Sequence, residues 1–278
     1  MVPPFTLRDG GIMPRLGMGT WHIGERAASR GPEAAALGLG LDLGMTLIDT
    51  AEMYGEGGAE RVVGDAIRGR REGVFVVSKF YPHHASRLKL VAACDASLRQ
   101  LGIDALDLYL LHWRGPGPLE ETVATLEDLV RAGKIRRWGV SNFDVADMEE
   151  LVAVPQGDRV AANQVLYNLA RRGAEFQLMP WCAARGIAVM AYSPLDEGRL
   201  VRHPALDAVA RKLAATPGQV AIAWLLRNRD VVTIPKAATT GHVRANRGAA
   251  DLVLDAEALE ALARAFPAPR RKRPLEML

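Results

Sequence analysis

Residues 74–113 read VFVVSKFYPHHASRLKLVAACDASLRQLGIDALDLYLLHW, and this stretch decides the fold. It begins with a short aliphatic run at 74–78 and ends with a second run at 106–111. Between the two runs, apolar side chains repeat at roughly the spacing of one helix face, at Leu88, Val91, Ala92, Leu98 and Leu101. The order strand, helix, strand indicates a β-α-β unit with two parallel strands in one sheet.

Similar runs alternate with helical segments along the whole chain. They cover residues 16–19, 46–49, 74–78, 106–111, 136–140, 161–165, 188–191 and 231–234. Eight such units in 278 residues fit a (β/α)8 TIM barrel better than an open sheet. No linker rich in Pro, Gly or Ser divides the chain, so we expect one domain over 1–278, with a basic tail from about 267 to 278. Apolar pieces at 5–7 and 12–13 surround a turn and predict a β-hairpin that caps the barrel bottom.

Charge and cysteine content narrow the classes of function. The chain has 35 basic and 32 acidic side chains, and the excess of +3 lies at 270–273, so a nucleic-acid partner is not indicated. Early prolines argue against a secretory signal, and no apolar stretch reaches the ~18 residues of a membrane span, so we expect a cytoplasmic protein without a membrane partner. Cys94 and Cys182 form no Cys-x-x-Cys pair, which argues against a disulfide framework and a structural metal site.

Reactive side chains follow three neighbouring predicted strands, where a TIM barrel has its active site. They are Asp49, Tyr54, Lys79 and His112. Together they predict proton transfer to or from an oxygen: Tyr54 is the acid, and Lys79 lowers the pKa of its phenol toward the operating pH. Asp49 then keeps Lys79 ionised, and His112 orients the substrate oxygen through a ring N–H. None of these groups accepts electrons, so a redox reaction would take its hydride from a cofactor.

Six motifs that span nearly the whole chain resemble those of the aldo-keto reductase family. They are GMGTW (17–21), LIDTAEMYG (47–55), LYLLHW (108–113), GVSNF (139–143), AYSPL (191–195) and IPK (234–236). The resemblance implies a TIM barrel, a nicotinamide cofactor that lies across the strand ends, and Asp49, Tyr54, Lys79 and His112 as the catalytic residues. Residues 111–115 and 163–168 look most similar to bacterial members that reduce methylglyoxal and related 2-oxoaldehydes, and family precedent favours a monomer.

The resemblance also implies the cofactor contacts. Ser141, Asn142 and Gln164 would bind the carboxamide, Tyr192 would stack on the nicotinamide, Ser193 and Leu195 would line the pyrophosphate, and Ile234, Lys236, His242 and Asn246 would lie at the adenosine end. The family usually has a hydroxyl residue directly after the lysine and an arginine six positions after it. This chain has Ala237 and His242 there. Histidine binds a phosphate less strongly than a guanidinium does. We therefore expect NADPH as the cofactor, with a weaker preference over NADH than an arginine at position 242 would give.

Aromatic side chains near the strand ends predict an apolar substrate pocket. They are Trp21, His22, Phe80, Tyr81 and Trp113. The loop after His112 and the region after Asn246 are short, so we expect an open pocket for small carbonyls such as 2-oxoaldehydes and aromatic aldehydes. Arg114 supports an alternative in which a keto-sugar or keto acid is held by its carboxylate. Two further alternatives are a regulatory subunit that binds a nicotinamide with little turnover, and a lyase or isomerase that forms a Schiff base on Lys79.

Overall fold

Eight parallel strands form the central sheet of the computed structural model, which describes residues 2–236 and 238–278. Neighbouring strands follow each other in chain order: β3 (Gly17–Gly19), β4 (Leu47–Asp49), β5 (Phe75–Phe80), β6 (Leu108–Leu111), β7 (Trp138–Ser141), β8 (Ala162–Leu166), β9 (Ala188–Tyr192) and β10 (Val231–Thr233). Parallel bridges join Leu16 to Thr233 and Gly19 to Lys236. These bridges connect the first strand of the sheet to the last, so the sheet closes and the predicted TIM barrel is confirmed.

Helices surround the barrel and connect its strands. In the described residues they are α1 (Arg30–Asp42), α2 (Gly58–Ile67), α3 (Arg87–Leu101), α4 (Leu119–Arg131), α5 (Val145–Ala153), α6 (Leu178–Ala183), α7 (Pro204–Lys212), α8 (Pro217–Leu226), α9 (Thr240–Gly248) and α10 (Ala256–Ala265). None of the helices that the structure describes is long and apolar enough to cross a membrane.

The N-terminal hairpin lies beneath the barrel, as the sequence predicted. It consists of β1 (Phe5–Thr6) and β2 (Ile12–Met13), which pair in antiparallel fashion. Met13 is fully buried and belongs to a small apolar cluster with Leu47 and Phe75, the first residues of β4 and β5. The hairpin therefore covers the N-terminal ends of the strands and leaves the opposite end open for a site.

Helix α3 forms where the apolar repeat predicts a helix, but the face that it buries differs from the prediction. The predicted apolar face included Leu88, which is 86% exposed. The buried face instead contains Leu90, Cys94, Ser97 and Leu101, which follow helical spacing. Ser97 is 1% exposed and belongs to the buried face. Because serine is polar, this face does not form a continuous apolar repeat in the sequence.

Candidate active site

Lys79 lies at the centre of the open end of the barrel. Its side chain is fully buried in β5, and its Nζ donates to Asp49 Oδ1 at 2.7 Å, to the Thr50 carbonyl oxygen at 2.9 Å and to Tyr54 Oη at 3.1 Å. An ammonium has three N–H donors, and these contacts use all of them. The Tyr54 oxygen accepts from Lys79, so the Tyr54 hydroxyl proton remains free to be donated elsewhere.

Asp49 joins Lys79 to the neighbouring part of the barrel. Its second oxygen, Oδ2, accepts from Gln164 Nε2 at 2.7 Å, and the side chain is almost fully buried. Burial raises the pKa of Asp49, while Lys79 and Gln164 act against that rise. Burial alone would lower the pKa of Lys79, but the charge of Asp49 and the hydrogen bonds to Asp49 and Tyr54 outweigh it and raise that pKa. Lys79 therefore stays a cation at neutral pH.

The pKa of Tyr54 departs from the sequence-based expectation. We expected Lys79 to bring the pKa of this phenol down toward neutral pH. Burial instead raises the pKa of Tyr54 above its usual value, and the opposing effect of Lys79 does not overcome that rise. The phenol thus keeps its proton at neutral pH, which is the state that a proton donor requires.

His112 follows β6 and faces Tyr54, with their ring centroids 5.9 Å apart. Burial and the nearby Lys79 cation lower the pKa of His112 to about 2, so its imidazole is neutral. Its Nδ1 atom is buried and has no hydrogen-bond partner within residues 2–236 and 238–278. A neutral imidazole carries one N–H donor, so His112 can orient a substrate oxygen without adding a positive charge to the site.

Aromatic side chains form a continuous row of ring contacts from Trp21 through Tyr54 and His112 to Tyr81. Trp21 meets Tyr54 edge to face at 4.9 Å, His112 lies 5.1 Å from Trp113, and Trp113 lies 5.8 Å from Tyr81, each measured between ring centroids. The Trp21 side chain is 44% exposed, so the site opens to solvent beside it. The structure thus brings together Trp21, Tyr81 and Trp113 as the sequence predicted.

One residue of the predicted pocket, Phe80, lies elsewhere, and His22 lies beside Trp21 with 4.6 Å between their ring centroids. Phe80 is fully buried and packs against Tyr109 at 5.0 Å between the barrel and its helices. The strand β5 continues past Ser78 to Phe80, and side chains alternate along a strand, so Lys79 points inward and Phe80 outward. His22 is exposed at the rim, where its Nδ1 lies 2.6 Å from Glu25 Oε1.

Arg114, the predicted alternative anchor for a substrate carboxylate, already has a partner. Its Nη2 donates to Glu150 Oε1 at 2.8 Å and its Nε donates to Glu150 Oε2 at 3.2 Å. Its Nη1 also donates to the Gly117 carbonyl oxygen at 3.0 Å. These bonds form a bidentate pair that occupies the guanidinium. A keto-sugar or keto-acid substrate would therefore have to compete with Glu150 for this cation.

The residues predicted to bind the carboxamide form one hydrogen-bonded group beside His112. Ser141 Oγ donates to the Gln164 carbonyl oxygen at 2.9 Å, and Asn142 Nδ2 donates to Ser141 Oγ at 3.2 Å. Tyr192 donates its hydroxyl to Asn142 Oδ1 at 3.0 Å. Asn142 adopts a left-handed backbone with φ of 60°, which turns its side chain back toward the strand ends. Because Gln164 also bonds Asp49, this group is physically continuous with Lys79.

The loop after β9, residues 193–199, carries Ser193 and Leu195 and is called the β9 loop below. Sequence reasoning missed the residue that holds its start. Asn168 is fully buried, and its Nδ2 donates to the Ser193 carbonyl oxygen at 2.9 Å. Sequence reasoning also missed Glu52, whose Oε1 accepts from the Tyr81 backbone N–H at 2.6 Å. This bond holds Tyr81 beside the site. The available signal was the position of each residue within a few residues of a strand end.

The predicted adenosine end lies where β10 leads into α9. Lys236 is exposed, Ile234 is buried, and Asn246 Nδ2 donates to the Lys236 carbonyl oxygen at 3.1 Å. His242 is exposed in the first turn of α9, where its backbone N–H donates to Thr239 Oγ1 at 3.2 Å. The structure brings these residues together. Ala237 lies outside the described residues.

Comparison with known proteins identifies the family. The model of the aldo/keto reductase family matches residues 15–266. The chain is an aldo-keto reductase. This aldo-keto reductase is 51% identical over 271 residues to methylglyoxal reductase YeaE of Escherichia coli, a match that covers 96% of this chain and 95% of the relative. Its fold is similar to that of an aldo/keto reductase from Klebsiella pneumoniae crystallised with NADP and acetate, with a TM-score of 0.97, 49% identity and coverage of 100% of both chains. A structure from the same organism in complex with NADPH gives the same values.

Proposed function

We propose that this aldo-keto reductase reduces small, uncharged aldehydes and ketones, including methylglyoxal and aromatic aldehydes, with NADPH. The observation that carries the proposal is the hydrogen bonding of the Lys79 ammonium, whose three N–H groups are all bonded. Because Tyr54 Oη accepts one of these bonds, the Tyr54 hydroxyl proton is free to be donated, and the Tyr54 ring lies against that of Trp21. The similarity to a methylglyoxal reductase and to structures that hold NADP or NADPH supports the substrate class and the cofactor. The occupied guanidinium of Arg114 favours uncharged substrates over keto acids.

The chain's own donors and acceptors fit a nicotinamide nucleotide. Gln164 gives its side-chain N–H to Asp49, which leaves its amide oxygen to accept from a carboxamide N–H. Tyr192 offers an aromatic face at the end of β9, and Lys236 offers an exposed cation for a phosphate. Ser141, Asn142 and Gln164 would therefore hold the carboxamide, and Lys236 the phosphate at the far end. When bound, NADPH would supply the hydride that reduces the carbonyl carbon.

The proton comes from the chain itself. Neutral His112 donates a ring N–H to the carbonyl oxygen and holds that oxygen next to Tyr54. As negative charge develops on the oxygen, Tyr54 transfers its hydroxyl proton to it. The resulting phenolate oxygen stays bonded to Lys79, whose positive charge stabilises it. Asp49 keeps Lys79 in place throughout, because burial shields the pair from solvent.

A carbonyl panel tests the proposed substrate class. We expect higher kcat/KM for methylglyoxal and small benzaldehydes than for steroids or a keto-gluconate, because aromatic side chains line an open pocket and the neighbouring Arg114 guanidinium is paired with Glu150. The panel is run with NADPH, and consumption of the cofactor is followed at each substrate concentration. A steroid or keto-gluconate that exceeded every small aldehyde would refute the open-pocket proposal. Cofactor binding without turnover of any carbonyl would instead favour the regulatory subunit.

The Schiff-base alternative makes a different demand on Lys79. An imine requires a neutral amine, whereas Lys79 is a cation with all three donors engaged. Borohydride treatment with a carbonyl and without nicotinamide should therefore leave Lys79 unmodified.

We also infer that residues 1–278 act as one domain. A cytoplasmic location and a monomeric state stay predictions of the sequence.

Replacing His242→Arg should tighten NADPH binding by about 10-fold and change NADH binding little. Only NADPH carries the 2′-phosphate, and a charge-assisted bond contributes ~1.5 to 3 kcal/mol before solvent exposure reduces it. His242 is exposed and in the first turn of α9, so a longer side chain has room there. Dissociation constants for both nucleotides are measured by quenching of tryptophan fluorescence. His242→Gln serves as the uncharged control, and equal changes for NADPH and NADH would show that position 242 does not face the phosphate.

A further inference from the structure

The β9 loop holds an unusual concentration of left-handed backbone. Ser193, Asp196 and Glu197 have φ values of 49°, 47° and 53°, and Gly198 follows with 84°. Three of these four residues carry side chains, for which this conformation is strained. Such a conformation persists only where the surroundings hold it in place. The contacts of this loop therefore decide whether it keeps its shape.

Arg171 provides one of those contacts from the turn after β8. Its Nε lies 3.4 Å from Asp196 Oδ1, and Arg199 Nε lies 3.1 Å from Asp196 Oδ2. The Asp196 side chain is buried, so its carboxylate depends on these two cations. Asn168 accepts from the Arg171 backbone N–H at 3.0 Å and donates to the Ser193 carbonyl oxygen. The turn that carries Arg171 thus grips the β9 loop at both Ser193 and Asp196.

The same guanidinium also binds the tail, residues 267–278. Arg171 Nη1 donates to Glu276 Oε1 at 2.5 Å. Two residues further on, the Leu278 backbone N–H donates to Tyr192 Oη at 3.4 Å, next to the bond from Tyr192 to Asn142. Arg270–Arg273 are exposed, whereas the end of the tail contacts the barrel through Glu276 and Leu278. One side chain therefore connects the β9 loop to the segment that contacts Tyr192.

We propose that Arg171 is a positioning residue that couples the β9 loop to the tail, so that loosening one loosens the other. The inference rests on the proposed function in one respect, that Ser193, Leu195 and Tyr192 contact NADPH. Opening of the β9 loop for nucleotide exchange then also releases the tail from Tyr192. Coupling of this kind is reciprocal: a change in the tail alters nucleotide release, and a change in the loop alters the tail.

The first test needs no cofactor. A fluorophore is attached at Met277→Cys, which is half-exposed, whereas Cys94 and Cys182 are fully buried with thiol pKa values raised to about 12 and will not compete for the label. Leu275 packs against the core, so the label reports the end of the tail beyond that contact. We expect Asp196→Asn to lower the anisotropy of the label as much as Glu276→Gln does, although Asp196 lies on the β9 loop.

The matched control is Glu197→Gln on the same loop. Glu197 is exposed and pairs with Arg199, so its neutralisation should leave the label unchanged. If Glu276→Gln lowers the anisotropy but Asp196→Asn leaves it at the wild-type value, the coupling is refuted.

The second test measures NADPH release by stopped-flow fluorescence. We expect Glu276→Gln to speed dissociation about 2- to 5-fold, the range for a partly exposed ion pair, and Asp196→Asn to speed it further. In an Arg171→Gln background Glu276→Gln should add nothing to the rate, because its partner is gone. Asp196→Asn should keep only the part of its effect that comes from the pair with Arg199. Arg171→Lys should restore part of the wild-type rate.

Wild-type protein is the reference that separates the two proposals. Wild-type protein that binds no NADPH would count against the proposed function. Wild-type binding together with unchanged release in Glu276→Gln, or with undiminished effects of both substitutions in the Arg171→Gln background, would overturn the coupling alone.

Discussion

Replacing Tyr54→Phe should lower kcat for carbonyl reduction by at least about 100-fold, the low end of the range for loss of a general acid. The substitution removes only the hydroxyl that accepts from Lys79 and carries the transferred proton. The ring that packs against Trp21 and His112 remains, so the pocket keeps its shape. NADPH affinity should stay within about 2-fold of wild type, since the proposed nucleotide contacts lie on β7, β8, β9 and α9. Steady-state turnover of methylglyoxal and fluorescence titration with NADPH measure the two quantities.

Tyr81→Phe provides the matched control for this prediction. Tyr81 is also a pocket phenol, but it contacts Trp113 and His83 through its ring and is not a partner of Lys79. Loss of its hydroxyl should change kcat less than about 5-fold. Near-normal turnover in Tyr54→Phe, or an equal loss in both variants, would refute the assignment of Tyr54 as the acid.

The barrel and the centre of its site could be predicted because both follow from periodic order. Short apolar runs that alternate with helical segments specify parallel strands, and the closed sheet gathers the strand ends at one place. Asp49, Lys79 and His112 each lie at or directly after a strand, so their proximity follows from the fold without any knowledge of long-range contacts. Tyr54 lies five residues after Asp49, and the turn between them brings its hydroxyl to Lys79.

Two predictions were wrong because the orientation or the burial of a single side chain decides them. The apolar run predicted for β5 stopped at Ser78, but the strand continues through Lys79, which is fully buried by its pairing with Asp49. Because side chains alternate, that extension alone moves Phe80 from the pocket to the outer core. The prediction that the pKa of Tyr54 falls toward neutral pH was wrong for a related reason. The sequence shows a neighbouring cation but does not show how completely the phenol is buried.

The hydrogen bonds from Arg171 to Glu276 and from Gln164 to Asp49 could not be predicted from the sequence. Arg171 and Glu276 are separated by 105 positions, and Gln164 and Asp49 by 115, with no repeat that relates them. Gln164 and Asp49 lie on two strands that are not neighbours, β8 and β4, whereas Arg171 and Glu276 lie in the turn after β8 and in the tail. A pattern of hydrophobic residues cannot report such contacts, since it records only which faces are buried.

Replacing Lys79→Met should lower the free energy of unfolding by about 3–5 kcal/mol, the usual cost of removing one partner from a buried ion pair. Methionine fills a similar volume, but the Asp49 carboxylate is left buried with only the Gln164 amide to solvate it. Turnover should fall below detection as well, because the Tyr54 phenolate would form without an adjacent cation. Urea denaturation followed by circular dichroism measures the stability, and methylglyoxal reduction measures the activity.

The double variant Asp49→Asn with Lys79→Met separates charge from packing. An asparagine at position 49 is neutral and can still accept from Gln164 Nε2, so no buried charge remains unpaired. We expect it to regain most of the lost stability, to within about 1–2 kcal/mol of wild type, since replacing a buried pair by neutral groups is often close to neutral in energy. Activity should not return, because Tyr54 still lacks the ammonium. A double variant as unstable as Lys79→Met would mean that the Lys79 side chain stabilises the barrel by packing rather than by pairing with Asp49. A double variant that regained turnover would show that proton transfer from Tyr54 does not need the cation.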